Sequence, residues 1–96
     1  MNAQDAMKRL RGALIEEGPD RYRLAFGKTF LFVRLQGVRT SIRYGARDHV
    51  AFRIDDLNLT VEDLRTHGVR KTIPWNLVES VAAGELESEN SDLFQG

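Results

Sequence analysis

The sequence predicts a mainly β domain with an N-terminal α-helix, folded as a small, strongly bent antiparallel β-barrel. Three observations carry that expectation. From Tyr22 to Ala83 the chain is dominated by period-two alternation of apolar and polar residues, broken by short Gly-, Asp- and Pro-containing stretches. Only the first residues show helical spacing. The run "KTIPWNLVESVAAGE", residues 71–85, sets a proline and a tryptophan between two strand-like stretches, as a chain does where one strand ends and the next begins at a corner.

A helix is expected over residues 5–17. Met7, Leu10 and Leu14 fall at i, i+3 and i+7, with Ala3, Ala6 and Ala13 beside them, and Lys8, Arg9, Arg11 and Glu16 occupy the other face. Asn2 or Asp5 caps its start and Gly18-Pro19 ends it. Such a one-sided helix needs an apolar surface to lie on.

After Pro19 the period becomes two. Tyr22, Leu24 and Phe26 alternate with Arg21, Arg23 and Ala25. "TFLFVRL", residues 29–35, is apolar on both faces and is expected to be a central strand. "VRTSIRY", residues 38–44, follows, with Val38, Thr40, Ile42 and Tyr44 on one face and Arg39, Ser41 and Arg43 on the other. After a loop at 45–48, "HVAFRI" points Val50, Phe52 and Ile54 inward and His49, Ala51 and Arg53 outward. Asp55-Asp56 then changes the parity of the apolar positions, which requires a turn or bulge.

Residues 57–61 alternate as a strand. Residues 62–68 read as a turn or short helix, with Thr60, Glu62, Asp63 and Gly68 supplying helix-end signals. Residues 69–75 form the next strand, with Val69, Ile73 and Trp75 on one face and Pro74 at its end or edge. "PWNL" makes a tight or single helical turn, and 78–83 is a short closing strand. Phe26, Phe30, Phe32, Phe52 and Trp75 are expected in the core; Tyr44 fits either core or rim.

The 96-residue chain is long enough for one domain, expected over residues 1–84, and its 42% apolar content is that of a globular protein. Residues 85–96 read as an acidic, disordered tail. Within it, Leu93-Phe94-Gln95-Gly96 match the cleavage site of a picornaviral protease used to remove tags, and are set aside from functional reasoning. The absence of cysteine excludes thiolate zinc sites, disulfides and cysteine nucleophiles. No apolar run is long enough for a bilayer and no signal-peptide layout is present, so a cytoplasmic location is expected.

The formal net charge of zero conceals a partition. Residues 21–53 carry seven Arg and one Lys against Asp48 alone, whereas 79–96 carry five acids and no base. Arg exceeds Lys eleven to three, a choice that suits phosphate contact and stacking and also follows from a GC-rich genome.

Catalytic patterns are missing. Asp55-Asp56 and Glu62-Asp63 are adjacent pairs better explained by turns, the serines lack a histidine at a recognisable offset, and the glycines make no phosphate loop. His49 and His67, with scattered carboxylates, give no metal-ligand spacing. The expectation is a non-enzyme without a cofactor.

"GARDHVAFRIDDL" (45–57) is similar to the first motif of the Sm-like (Lsm and Hfq) family: a glycine, a loop with Asp and His, then an alternating strand ending in two acids. "GVRKTIPWNLVESV" (68–81) is similar to the second: a strand, a one-turn corner and a closing strand. Ala51 stands where the family has a base-pocketing asparagine, and Pro74-Trp75-Asn76 lie near the place of its Arg-Gly pair. "IPWNLVESV" also resembles the closing strand of PRC-barrel and other SH3-like barrels.

The Sm-like resemblance implies a homo-oligomeric ring, joined through edge strands at 69–75 and 78–83, with single-stranded RNA in its pore or on one face. The residues themselves point in a compatible direction. Arg39 and Arg43 on one strand, Arg47 in the next loop and Arg53 on the following strand would make a basic wall for phosphates, and His49 a stacking group. The competing readings are a solvated outer face whose arginines pair locally with acids, and an assembly module whose arginine-rich face meets acidic partners, its own tail included.

Overall fold

A computed structural model describes residues 1–85. The helix is real but short. α1 spans Ala3–Leu10, and Asn2 caps it, its Oδ1 accepting from the Asp5 N–H at 2.8 Å. The expected continuation to residue 17 does not occur. Arg11 leaves helical geometry, and Gly12 turns at φ +87°, in the left-handed region where a glycine following a basic last turn terminates helices. Leu14 therefore belongs to a strand, β1 (Leu14–Gly18), and the apolar stripe of α1 ends at Leu10.

Seven further strands follow: β2 (Arg21–Leu24), β3 (Thr29–Leu35), β4 (Ile42–Gly45), β5 (Val50–Ile54), β6 (Asn58–Asp63), β7 (Val69–Pro74) and β8 (Val78–Glu85). They make two antiparallel sheets, a five-stranded one in the order β1-β2-β5-β6-β7 and a three-stranded one in the order β4-β3-β8. The closed cylinder expected from the sequence is not among the ladders of the described residues. Three connections carry the chain between the sheets: β2 to β3, β4 to β5 through a 3-10 turn at Ala46–Asp48, and β7 to β8 through a 3-10 turn at Trp75–Leu77.

The core lies between the sheets and under the helix. Leu31, Val33, Phe52, Leu59, Val61 and Val78 are fully enclosed, with Ala6 and Leu10 of α1 among them. Tyr44 packs its edge on Phe52 at 5.7 Å between ring centroids, and burial pushes its phenol above the usual 10.0. Asp55 makes the parity change: its Oδ1 accepts from the N–H groups of Leu57 and Asn58, closing the turn that places Leu59 opposite Ile54.

The Pro74-Trp75 corner takes the form expected. Pro74 ends β7, and Trp75 is buried, its indole N–H donating to the Asp55 carbonyl at 2.7 Å. Phe30, expected inside, is half-buried, and two further apolar residues expected inside are outside. Phe26 is 65% exposed because β2 ends at Leu24 and the chain turns, with the Thr29 N–H bonded to the Phe26 carbonyl. Val69 is 62% exposed because a bulge between Val61 and Glu62 slides it opposite Glu62, on the outward face. Residues 62–68 also differ from a simple turn: β6 continues to Asp63, whose Oδ1 then accepts from the Arg65 and Thr66 N–H groups.

Candidate functional site

The arginines singled out in the sequence fall on several elements. Arg39 is not on a strand with Arg43. Gly37 turns at φ +76° and the Val38 N–H bonds to the Leu35 carbonyl, so β3 is followed by a turn, and pairing resumes only at Ile42 opposite Val33. Arg39 is exposed in that connection. Arg43 sits on β4, in the three-stranded sheet, and Arg53 on β5, in the five-stranded sheet. Arg47 lies in the 3-10 turn between them and is exposed. The single wall expected from the sequence is thus divided at the bend around residues 46–48.

Arg43 has aromatic company. Register places it opposite Phe32, and places Gly45 opposite Phe30, on one face of the three-stranded sheet. That face is the outer one, since Leu31 and Tyr44, of opposite parity, pack with the core. The Arg43 guanidinium lies 5.7 Å from the centre of the Phe30 ring. The Phe30 ring in turn lies across Gly45. A Cβ there would meet the ring's Cε1 at 2.5 Å and Cδ1 at 2.8 Å, so glycine is needed for close approach and not for its dihedral, which is extended at φ −130°. The Phe30 and Phe32 rings are 6.4 Å apart, with Phe32 buried and Phe30 half-buried. Ala82 and Gly84 of β8, opposite Phe32 and Phe30, add no bulk beside them.

The turn that follows is held rigidly. Asp48 accepts from the Gly45 N–H at 2.7 Å. His49 adopts φ +52°, its N–H bonded to the Ala46 carbonyl and its own carbonyl accepting from the Leu64 N–H. His49 is therefore a backbone corner with an exposed ring. Arg70 crosses from β7, donating to the Asp48 carbonyl at 2.9 Å and pairing with Asp63 at 3.3 Å. The Asp63 carboxyl is held below 3.8, mainly by the Arg65 and Thr66 backbone N–H groups and further by the Arg70 charge.

Arg53 has different surroundings. It lies opposite Arg21 of β2, and both reach one carboxylate, Glu62, at 3.6 and 3.9 Å. Arg23 pairs with Glu17 at 3.3 Å and Arg34 with Glu79 at 3.5 Å. Sequence reasoning missed Arg21, Arg23 and their acids as members of this face, although strand alternation from Tyr22 already placed both arginines outward. It also missed Phe30 as an outer-face residue. The signal available was Gly45, one strand away from a run too apolar for its parity to stand out.

A concavity of about 860 Å³ lies elsewhere, between α1, β2 and the β5–β6 turn. Lys8 and Arg11 there face Asp20, Asp55 and Asp56, a mixture that favours neither a polyanion nor a polycation. Among the described residues no group of three or more His, Asp or Glu could hold a metal ion, and no helix is long and apolar enough to cross a membrane. The acidic residues Glu87, Glu89 and Asp92 of the tail, and the 93–96 stretch, lie outside the described residues. The chain matches no protein-family model, no curated protein and no solved structure.

Proposed function

We propose that this protein binds single-stranded nucleic acid, RNA in preference to DNA, without catalysis, as an oligomeric small β-barrel of the Sm-like or SH3-like kind. The observation that carries the reading is the outward-facing Phe30 ring, seated on Gly45 with the Arg43 guanidinium against it. A half-exposed ring beside a guanidinium offers a base a surface to stack on and its phosphate a cation; stacking of this kind contributes about 1–3 kcal/mol per base. Arg39 in the connection before β4, Arg47 in the 3-10 turn after it and His49 at the corner are exposed and add further donors around Arg43 in the chain. Arg53, sharing Glu62 with Arg21, adds mainly to the field. The barrel reading is supported by the three corners that pass the chain between the two sheets, and the cytoplasmic setting by the lack of cysteine.

The test is fluorescence polarisation with labelled oligo-U and oligo-A over a salt series, using wild type, Phe30→Leu and Arg43→Gln, each with and without residues 85–96. Two to three phosphate contacts through Arg39, Arg43 and Arg47 give a log–log salt slope of about −1.4 to −2.1 for a single strand. Both substitutions weaken binding. A wild-type protein that binds neither oligomer at low salt, even without its tail, ends the proposal.

A second reading has its own observation. Arg21, Arg23, Arg34, Arg53 and Arg70 already hold carboxylates of this chain. Arginines that take carboxylates on both sheets suit acidic protein surfaces as well, and the function is then assembly. Binding to an acidic peptide that oligo-U fails to displace distinguishes it.

A further inference from the structure

The two edges of the five-stranded sheet carry opposite charge. β1 is one edge, with Glu16 and Glu17 and no base; β7 is the other, with Arg70 and Lys71 and no acid. Each edge also exposes one β-branched aliphatic, Ile15 at 51% and Val69 at 62%. Glu17 and Arg70 are taken up within the chain, by Arg23 and Asp63. Glu16 and Lys71 are exposed, and among the described residues neither has an ion-pair partner.

Among the described residues, backbone groups are open along both edges. The Ala25 N–H bonds to the Ala13 carbonyl, so in the β1–β2 ladder the hydrogen-bonded pairs fall on odd residues of β1, and the N–H and C=O of Leu14 and Glu16 point away from β2. The Trp75 N–H bonds to the Leu57 carbonyl, which by the same count turns the Thr72 N–H and C=O away from β6. Pro74 shares that direction and has no N–H to offer, so the end of β7 is poorer in donors than the stretch around Thr72. Natural sheets blunt exposed edges with like charges or prolines. Here the charges are of opposite sign on the two edges, which repels β1 from β1 and β7 from β7 but attracts β1 to β7. Within one chain the two edges are four ladder spacings apart, roughly 19 Å, and cannot meet.

We infer that β1 of one copy adds in parallel to β7 of the next, with Glu16 set against Lys71 and Ile15 and Val69 covered at the junction. The contact is head-to-tail, so it closes into a ring if the rotation between copies allows and grows into a filament otherwise. This rests on the oligomeric part of the function proposed above and specifies its interface. It keeps one of the edges that the Sm-like resemblance implies, β7, and replaces the other with β1, a strand that falls within the helix expected from the sequence.

The experiment is sedimentation velocity at about 50 mM and about 500 mM salt, over a concentration series and without nucleic acid. Wild type runs heavier than one chain at low salt and lightens at high salt. Glu16→Lys and Lys71→Glu each weaken association about tenfold or more, since each sets like charges together. The double variant Glu16→Lys/Lys71→Glu, and an equimolar mixture of the two single variants, recover it. Both positions are exposed, and unchanged circular dichroism checks that the variants fold. A wild type that stays at single-chain mass, or single variants that still assemble, overturns the inference. Neither outcome touches oligonucleotide binding by Phe30 and Arg43, which is read separately.

Discussion

Gly45→Ala is a small change with a calculable outcome. Gly45 has extended dihedrals that alanine adopts without strain, so restricting the unfolded chain alone would stabilise the protein by about 0.4–1 kcal/mol. Against that stands the Phe30 ring, whose Cε1 would lie 2.5 Å from the new Cβ and whose Cδ1 would lie 2.8 Å away. No adjustment of a few tenths of an ångström relieves that contact; the ring must swing off. Overpacking of this sort costs about 1–3 kcal/mol, at the lower end here because Phe30 is half-buried and can move toward solvent. The displaced ring also loses its contact with Arg43, about 0.5–1 kcal/mol at an exposed site. The net expectation is a loss of about 1 kcal/mol, read as a lower urea midpoint at unchanged slope. A double-mutant cycle isolates the cause. In a Phe30→Leu background the obstruction shrinks, and the same glycine substitution becomes neutral or stabilising. If Gly45→Ala is as stable as wild type with Phe30 present, the ring does not lie across Gly45 and the stacking surface built on it goes too.

Two further outcomes follow from the corner and the β6 turn. Trp75→Phe removes the indole donor and leaves the Asp55 carbonyl without that partner, so stability falls by about 1–3 kcal/mol, measured by urea unfolding followed by circular dichroism; an unchanged midpoint contradicts the 2.7 Å bond. Asp63 has a folded pKa below its unfolded value of about 3.8, so its contribution is complete above 3.8 and disappears as pH falls through the lower folded value. Asp63→Asn, which keeps an acceptor for the Arg65 and Thr66 N–H groups but loses the charge facing Arg70, is therefore less stable than wild type at neutral pH, and the gap narrows below 3.8. A gap that stays constant down to pH 2 contradicts the assignment.

Much of the β architecture was legible because alternation is a strong signal wherever one face is buried. Val50, Phe52 and Ile54 face the core as their spacing predicted, and Asp55-Asp56 marked a turn that the parity change required. Failures came where a single backbone feature overrode the pattern. Gly12 ended α1 with Leu14 still in helical phase, and only its place after Arg11 could have announced it. A bulge opposite Glu62 moved Val69 outward, and a bulge is set by register, which one strand does not encode. Arg39 shared parity with Arg43, yet parity persists only while a ladder does, and the turn at Gly37 interrupts it. The aromatic half of the candidate site was hidden for a related reason. In "TFLFVRL" both faces are apolar, so nothing in the string distinguishes Leu31 and Val33, which join the core cluster, from Phe30 and Phe32 on the other face, where Phe32 is buried as expected and Phe30 only half-buried.

The two proposed surfaces occupy different sheets, and that separation has a functional consequence. Pairing of β1 with β7 uses both edges of the five-stranded sheet and no strand of the three-stranded sheet, which carries Phe30 and Arg43. Each added protomer then brings one more stacking surface within reach of the same strand. A single such site, with two or three cations and one ring, binds weakly. Several held in one assembly bind as an avid array, because the second contact is made at the high effective concentration that linkage provides. The Glu16 and Lys71 variants, whose Phe30 surface is intact, should accordingly bind a short oligonucleotide as well as wild type does and lose affinity only for one long enough to reach a second copy. Equal loss for short and long strands would mean that the edges themselves contact the nucleic acid, and that one surface has been mistaken for two.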